Sequence, residues 1–267
     1  MGSTAYRYPN ERLVLSATLL LVFLVIAVTA TATVCLSLVF IIAYILLSVQ
    51  FSRSHHQSLM RSAYPVSSQR QPEFSRVIRE TVERLRPGGV QVYVVPSRQM
   101  NAYTFGLSSP KVVVFYSALL DVMDEDEITF ILGHELGHVA LGHTVLNSMV
   151  GGVAGIPASW GAGILLSLSF LWWNRMCEFS ADRAGLLACG KPEKAVSALL
   201  KLVAGPQTAS QAALEAAYQQ IDAQDDTFLG SLGELLGSHP MLIRRIQELR
   251  SYARSAQYQR LSVKMAL

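Results

Sequence analysis

The sequence predicts an α+β fold, mainly α-helical with a small sheet, carried behind an N-terminal apolar helical hairpin. Three observations predict it. From Leu13 to Val49 no residue carries a charge. Between Val90 and Tyr116, short runs rich in valine and aromatic residues are set off by turn-forming residues, as strands are. Elsewhere apolar residues recur at helical spacing between recognisable starts and stops. The chain is 51% hydrophobic and only 15% charged, an imbalance to which the uncharged N-terminal stretch contributes most.

As a single helix at ~1.5 Å per residue, Leu13 to Val49 would be ~55 Å long, against a hydrocarbon core of ~30 Å. Two short spans fit better, Leu13 to Val28 and Val34 to Val49, turning at the "TATAT" of Thr29 to Thr33. Arg7 and Arg12 precede the pair, and Arg53, Arg61 and Arg70 follow it, while the turn has no charge. The bias of positive charge toward the cytoplasmic side then puts both ends in the cytoplasm. The protein is therefore expected to be an integral protein of the cell membrane, in contact with lipid. A cleaved signal peptide competes, because "ATA" at Ala30 to Ala32 resembles a cleavage site. The second apolar run argues against free secretion.

Residues 1–51 are thus expected as the anchor. Residues 52–72, rich in Ser, Gln and Arg and punctuated by Pro65 and Pro72, are expected as a linker, and residues 73–267 as the folded domain. "EFSRVIRETVERLR" sets Phe74, Val77, Ile78, Val82 and Leu85 at helical spacing and stops at Pro87-Gly88-Gly89. "VQVYVV" (Val90 to Val95) and "KVVVFY" (Lys111 to Tyr116) read as strands, with "MNAYTFGL" between them as a third, edge strand. Asp124 followed by Glu127 reads as the capped start of a helix rather than as a metal site. The zone from Val145 to Trp173 would give two membrane passes of only about 14 residues, below the ~17 that a span needs. It is expected as buried or membrane-contacting helices, broken at Gly155-Ile156-Pro157. Lys191 to Leu267 is alanine-rich and helical in character, interrupted near Gly230 to Ser238.

The chemistry sits in "HELGH", His134 to His138. On a helix the two histidines lie ~40° apart around the axis and ~6 Å apart along it, so both imidazoles can reach one ion. Glu135, ~100° round from His134, points beside that ion, where a carboxylate acts as a base toward water. Such a site suits one Zn²⁺ per chain with an open coordination position. His143, nine residues after His134, is ~900° round and cannot close the same site on a continuous helix. It reads as a helix-end residue or one that supports a ligand from behind. Where metzincins carry their third histidine this chain has Thr144. A downstream carboxylate is the alternative. "CEFSAD" offers Glu178 and Asp182 at i, i+4, on one face of a helix able to pack against the first. Glu178 would ligate the zinc, and Asp182 would bond the far ring nitrogen of a ligand histidine and fix its tautomer. Gly133 and Gly137, one turn apart, leave a smooth strip where a neighbouring backbone can approach. Cys35, Cys177 and Cys189 form no CxxC pair, so neither a disulfide framework nor a cysteine zinc site is indicated.

"HELGH" followed about forty residues later by "EFSAD" resembles the HtpX-like family of gluzincin metallopeptidases, which also includes the type I CaaX prenyl protease. The likeness extends to "NAYTFGL" and "SHPMLIRRI" and so covers about Glu73 to Leu249. It implies a zincin-like metallopeptidase domain. It also implies that Asn101, Ala102, Tyr103 and Thr104 form the edge strand on which an extended peptide pairs, a mode favoured by the unpaired N–H and C=O groups of an open edge. His239 would stabilise the oxyanion, with Arg245 in support. The chain departs from integral-membrane members in the short zone between the zinc motifs.

The expectation is a membrane-anchored zinc metalloendopeptidase acting on unfolded or membrane-associated proteins. Its competitor is a non-catalytic zinc-containing scaffold or chaperone, for which a site closed by a fourth protein ligand would speak. A net charge of +3 without a concentrated basic block gives no reason to expect a nucleic-acid partner.

Overall fold

The computed structural model describes residues 3–32, 36–106, 108–145, 161–204 and 240–266. After a 3₁₀ turn at Ser3–Tyr6 come helices α1 (Glu11–Ala32) and α2 (Leu36–Met60). Strand β1 (Tyr64–Pro65) and helix α3 (Pro72–Leu85) precede β2 (Val90–Val95), β3 (Ala102–Phe105) and β4 (Lys111–Tyr116). Helices α4 (Ser117–Val122), α5 (Glu125–Leu141), α6 (Gly161–Cys189), α7 (Pro192–Ala204), α8 (Pro240–Ala253) and α9 (Ala256–Ala266) follow. The α+β class, mostly helical with a small sheet, is as expected.

The sheet runs β1-β2-β4-β3. β2 and β4 pair in parallel, Val90 with Lys111 through to Val95 with Tyr116, and β1 and β3 flank them antiparallel. The expected edge strand is β3, and it packs next to α5. The core between sheet and helices is built from Val92, Val94, Val113 and Phe115 on the strands and Phe130, Leu132 and Leu136 on α5, all buried.

The N-terminal third makes contacts that its composition does not signal. The first residues of the chain pack against the core. Tyr6 is 2% exposed among the core residues, and Ala5 accepts a hydrogen bond from the Gln257 amide at 2.7 Å. Arg7 donates to the Leu141 carbonyl at 3.0 Å, and the Arg183 guanidinium lies over both Tyr8 and Tyr252, 4.8 and 4.4 Å from the ring centroids. Parts of 52–72 are packed as well. α2 continues to Met60, where His56 stacks on Phe105 with centroids 3.8 Å apart, and Tyr64 pairs with Val94. These long-range contacts hold residues whose local composition favours a loop. At the expected turn, Thr29 to Ala32 still belong to α1. The Thr31 hydroxyl bonds back to the carbonyls of Ala27 and Val28 at 3.1 and 2.8 Å, which lets a β-branched polar residue end an apolar helix.

Among the described residues, one helix, over Glu11–Val28, is long and apolar enough to cross a membrane. Its first turns are docked: Glu11, Val14 and Thr18 are buried, Val14 packs with Trp173 and Cys177 of α6, and Thr18 donates to the Ser169 carbonyl at 3.3 Å. Beyond Thr18 it turns large apolar side chains outward, Phe23 being 66% exposed. α6 is continuous from Gly161 through the "EFSAD" motif; the expected break at Gly155 to Pro157 lies outside the described residues. Trp173 is buried and Trp172 is half exposed.

α5 begins as its sequence dictates. Asp124 accepts from the Glu127 N–H at 3.0 Å, and the Glu127 carboxylate accepts from the Asp124 N–H at 2.9 Å, a reciprocal cap. Glu127 is buried and also accepts from Ser197 (2.6 Å) and Lys201 (2.7 Å), which ties α5 to α7. α5 ends at Gly142, whose φ of +80° turns the chain back.

The crossing of α5 and α6 rests on small residues. A Cβ on Gly133 would lie 2.5 Å from the Ala188 Cβ and 3.0 Å from the Gly185 Cα; one on Gly137 would lie 2.7 Å from the Ala184 Cβ. Gly133→Ala should gain about 0.5–1 kcal/mol in helix propensity and lose about 1–3 kcal/mol through overpacking. A lower urea midpoint is therefore expected. A raised midpoint would show that the crossing is not close-packed.

Candidate metal centre

This close crossing puts the acidic motif of α6 against the histidines of α5. The Nε2 atoms of His134 and His138 are 3.2 Å apart, and Glu178 reaches them at 3.5 Å (Oε2 to His134) and 3.4 Å (Oε1 to His138). Two ligands held ~2.0–2.1 Å from an ion at a tetrahedral angle are ~3.3–3.4 Å apart. The observed triangle has that size, and its donors, two imidazole nitrogens and a carboxylate oxygen, suit a divalent ion of borderline character. An ion held by these three side chains would have a fourth position for another ligand.

Behind the ligands is a carboxylate held by an arginine. Asp182 Oδ1 accepts from His134 Nδ1 at 2.9 Å, which leaves the Nε2 lone pair facing the triangle. Arg245 from α8 grips Asp182 with two bonds, Nε to Oδ2 at 2.8 Å and a terminal nitrogen to Oδ1 at 2.7 Å, and its other terminal nitrogen is 3.2 Å from Glu178. Burial by itself would raise the Glu178 carboxyl, but Arg245 and the two imidazoles outweigh it and hold the group well below the usual carboxylate range. Burial likewise opposes ionisation of Asp182, and Arg245 again reverses the direction. Both carboxylates are therefore charged at neutral pH, ready for a cation.

Glu135 is buried beside the triangle but outside it. Its Oε2 accepts from the Thr104 hydroxyl at 2.7 Å, so strand β3 meets the helix at this carboxylate. Ala102, Tyr103 and Thr104 lie on β3; Asn101 directly precedes it, is exposed, and accepts the Tyr116 N–H at 2.9 Å. His239 lies outside the described residues.

His143 requires a correction of geometry. Helical rotation would carry it to the far side, but α5 stops at Gly142 and the turn folds His143 back, with its Nδ1 3.0 Å from the Nδ1 of His138. It lies behind His138, just past the end of the helix. Sequence reasoning assigned no role to Glu11, whose Oε1 is 3.1 Å from His143 Nε2. Nor did it identify the bond from Thr104 to Glu135. A charged residue at the very start of an apolar helix was the available signal for the first, and the inward alternation of a strand beside the motif helix was the signal for the second.

The chain is similar to known metallopeptidases and proteases. The family model of peptidase family M48 matches residues 68–253. The plastoglobule-localized metallopeptidase 48 of Arabidopsis thaliana is 31% identical over 211 residues, 73% of this chain and 61% of that protein. Protease HtpX of Shewanella piezotolerans is 31% identical over 199 residues, 60% of this chain and 67% of the relative. A protease HtpX homolog of Ralstonia pickettii is 28% identical over 229 residues, 74% and 80% of the two chains. The match to the plant relative thus spans less than two thirds of that protein's length. With a family match running from before the first helix of the domain into α8 and enclosing both halves of the centre, the chain belongs to peptidase family M48.

Proposed function

We propose that this M48-family metallopeptidase is a membrane-anchored zinc endopeptidase that hydrolyses peptide bonds of unfolded or membrane-associated proteins. The observation that carries the reading is the triangle of His134, His138 and Glu178, with donor atoms 3.2–3.5 Å apart, beside a buried Glu135 that is not part of it. Zinc, when bound, supplies a Lewis acid for the scissile carbonyl and a source of nucleophilic water near neutral pH. Glu135 takes the proton of the attacking water and passes it to the leaving amine. The Thr104 hydroxyl holds that carboxylate in place from the strand side. An extended substrate adds to the free edge of β3 along Asn101 to Thr104, paired by main-chain bonds and hence tolerant of sequence. His239 is assigned to the oxyanion and Arg245 to holding Asp182.

α1 and α2 form the anchor, with both ends cytoplasmic and the peptidase domain on that face of the cell membrane. The outward apolar side chains of α1, Ile42 and Leu46 on α2, and Leu171 and Trp172 on α6 support contact with a membrane, since each exposes apolar surface; the cytoplasmic side follows from the flanking arginines. The folded domain comprises Glu73 onward together with β1 and the N-terminal residues packed into it.

The test is metal content and casein hydrolysis by the full chain in detergent. One zinc per chain is expected, with hydrolysis lost on chelation and restored by added Zn²⁺. Hydrolysis that survives complete removal of metal would refute the reading, as would a chain that takes up none.

A further inference from the structure

His134 has a carboxylate directly behind it, whereas His138 has an imidazole. That imidazole, His143, is 2% exposed and is bonded on both sides: its Nδ1 lies 3.0 Å from His138 Nδ1 and its Nε2 3.1 Å from Glu11 Oε1. Glu11 is 1% exposed and also receives the Arg7 guanidinium and the Ser180 hydroxyl. We propose that Glu11 and His143 are positioning residues for the metal, forming a chain of hydrogen bonds from His138 to the first turn of the apolar N-terminal helix.

The protons fit in one way. If His138 gives its Nε2 lone pair to the ion, its own proton must sit on Nδ1. That N–H donates to the bare Nδ1 of His143, whose proton is then on Nε2 and donates to Glu11. The reverse arrangement would need a protonated Glu11, against the Arg7 guanidinium bonded to it. The two ligand histidines are thus backed alike: His134 by Asp182 held by Arg245, and His138 through His143 by Glu11 held by Arg7. The donor atoms of Glu11, His143 and Cys177 lie within 4.8 Å of one another, the outline of a second metal site. The Arg7 cation on Glu11 and the engagement of both His143 nitrogens make a hydrogen-bond chain the better account.

This inference rests on the zinc reading above, and its test separates the two. Zinc Kd is measured by chelator competition on the full chain in detergent, with the absorption of the Co²⁺-substituted form as a second readout. Residues that orient a metal ligand from behind typically matter 10–100-fold in affinity. Glu11→Gln and His143→Phe should each raise Kd by about 10-fold or more and shift the cobalt spectrum. The double variant should resemble His143→Phe alone, because the two are links in series. Val14→Ala, one turn along the same buried face, should lower Tm and leave Kd unchanged, which separates packing from positioning. If His143→Phe does not fold, the near-isosteric Glu11→Gln decides. Folded variants with Kd within twofold of wild type would overturn the inference, as would a double variant whose effect is the product of the singles. A wild type that binds no zinc would overturn the zinc reading itself, and this inference with it.

Discussion

Glu135→Gln is expected to lower casein hydrolysis by about 10²–10⁴-fold, the usual contribution of a positioned general base, while zinc content stays at the wild-type value. The two halves of this result follow from different parts of the structure. Metal retention is expected because His134, His138 and Glu178 complete the triangle without Glu135. Loss of turnover is expected because an amide of the same shape keeps the bond from Thr104, made at 2.7 Å in the native chain, but cannot take a proton from water. The substitution therefore removes a function rather than a fold, and Tm should move by little. A variant that still cleaves casein at more than a tenth of the wild-type rate would sink the assignment of the base. One that loses zinc as well would show that Glu135 belongs to the ligand set.

The parts of this site that the sequence made legible are those governed by local periodicity. His134, Glu135 and His138 are placed by one helix, and the cap from Asp124 to Glu127 fixes where that helix begins. Glu178 and Asp182 were legible at a distance because a carboxylate pair at i, i+4, directly after an uncharged run, has little reason to be a solvated face. The glycines at 133 and 137 announced a close helix crossing and α6 occupies it, with Ala184 and Ala188 against the strip. What escaped depends on chain reversal and on tertiary contact. One glycine in the left-handed region returns His143 to the centre, and no periodicity argument carries through such a turn. Glu11 reaches the same centre across 132 residues of sequence, so nothing near it signals the contact. The segment 52–72 has a loop composition, yet a ring stack on Phe105 and a pair of strand residues order part of it. Tertiary contacts there override local preference.

The largest effect on stability should come from Arg245→Met. Arg245 is 16% exposed, bonds both oxygens of Asp182, which is 2% exposed, and approaches Glu178 at 3.2 Å. Removing one member of a buried ion pair leaves the other charged, desolvated and unpartnered, which typically costs about 3–5 kcal/mol. In this chain two carboxylates lose their cation at once, and the methionine cannot donate to either. For a domain of this size the loss corresponds to a fall in Tm of about 6–20 °C. It should be greatest in chelated protein, because a bound divalent ion restores positive charge beside Glu178 and, through His134, near Asp182. Adding Asp182→Asn to Arg245→Met should recover part of the loss, since only Glu178 then remains uncompensated. The recovery should be visible in Tm but not in zinc Kd, because an asparagine is a poorer partner for the His134 N–H than a carboxylate. An Arg245→Met chain that melts within 2 °C of wild type in chelator, a shift of under about 1 kcal/mol, would mean that water rather than the arginine neutralises this pair.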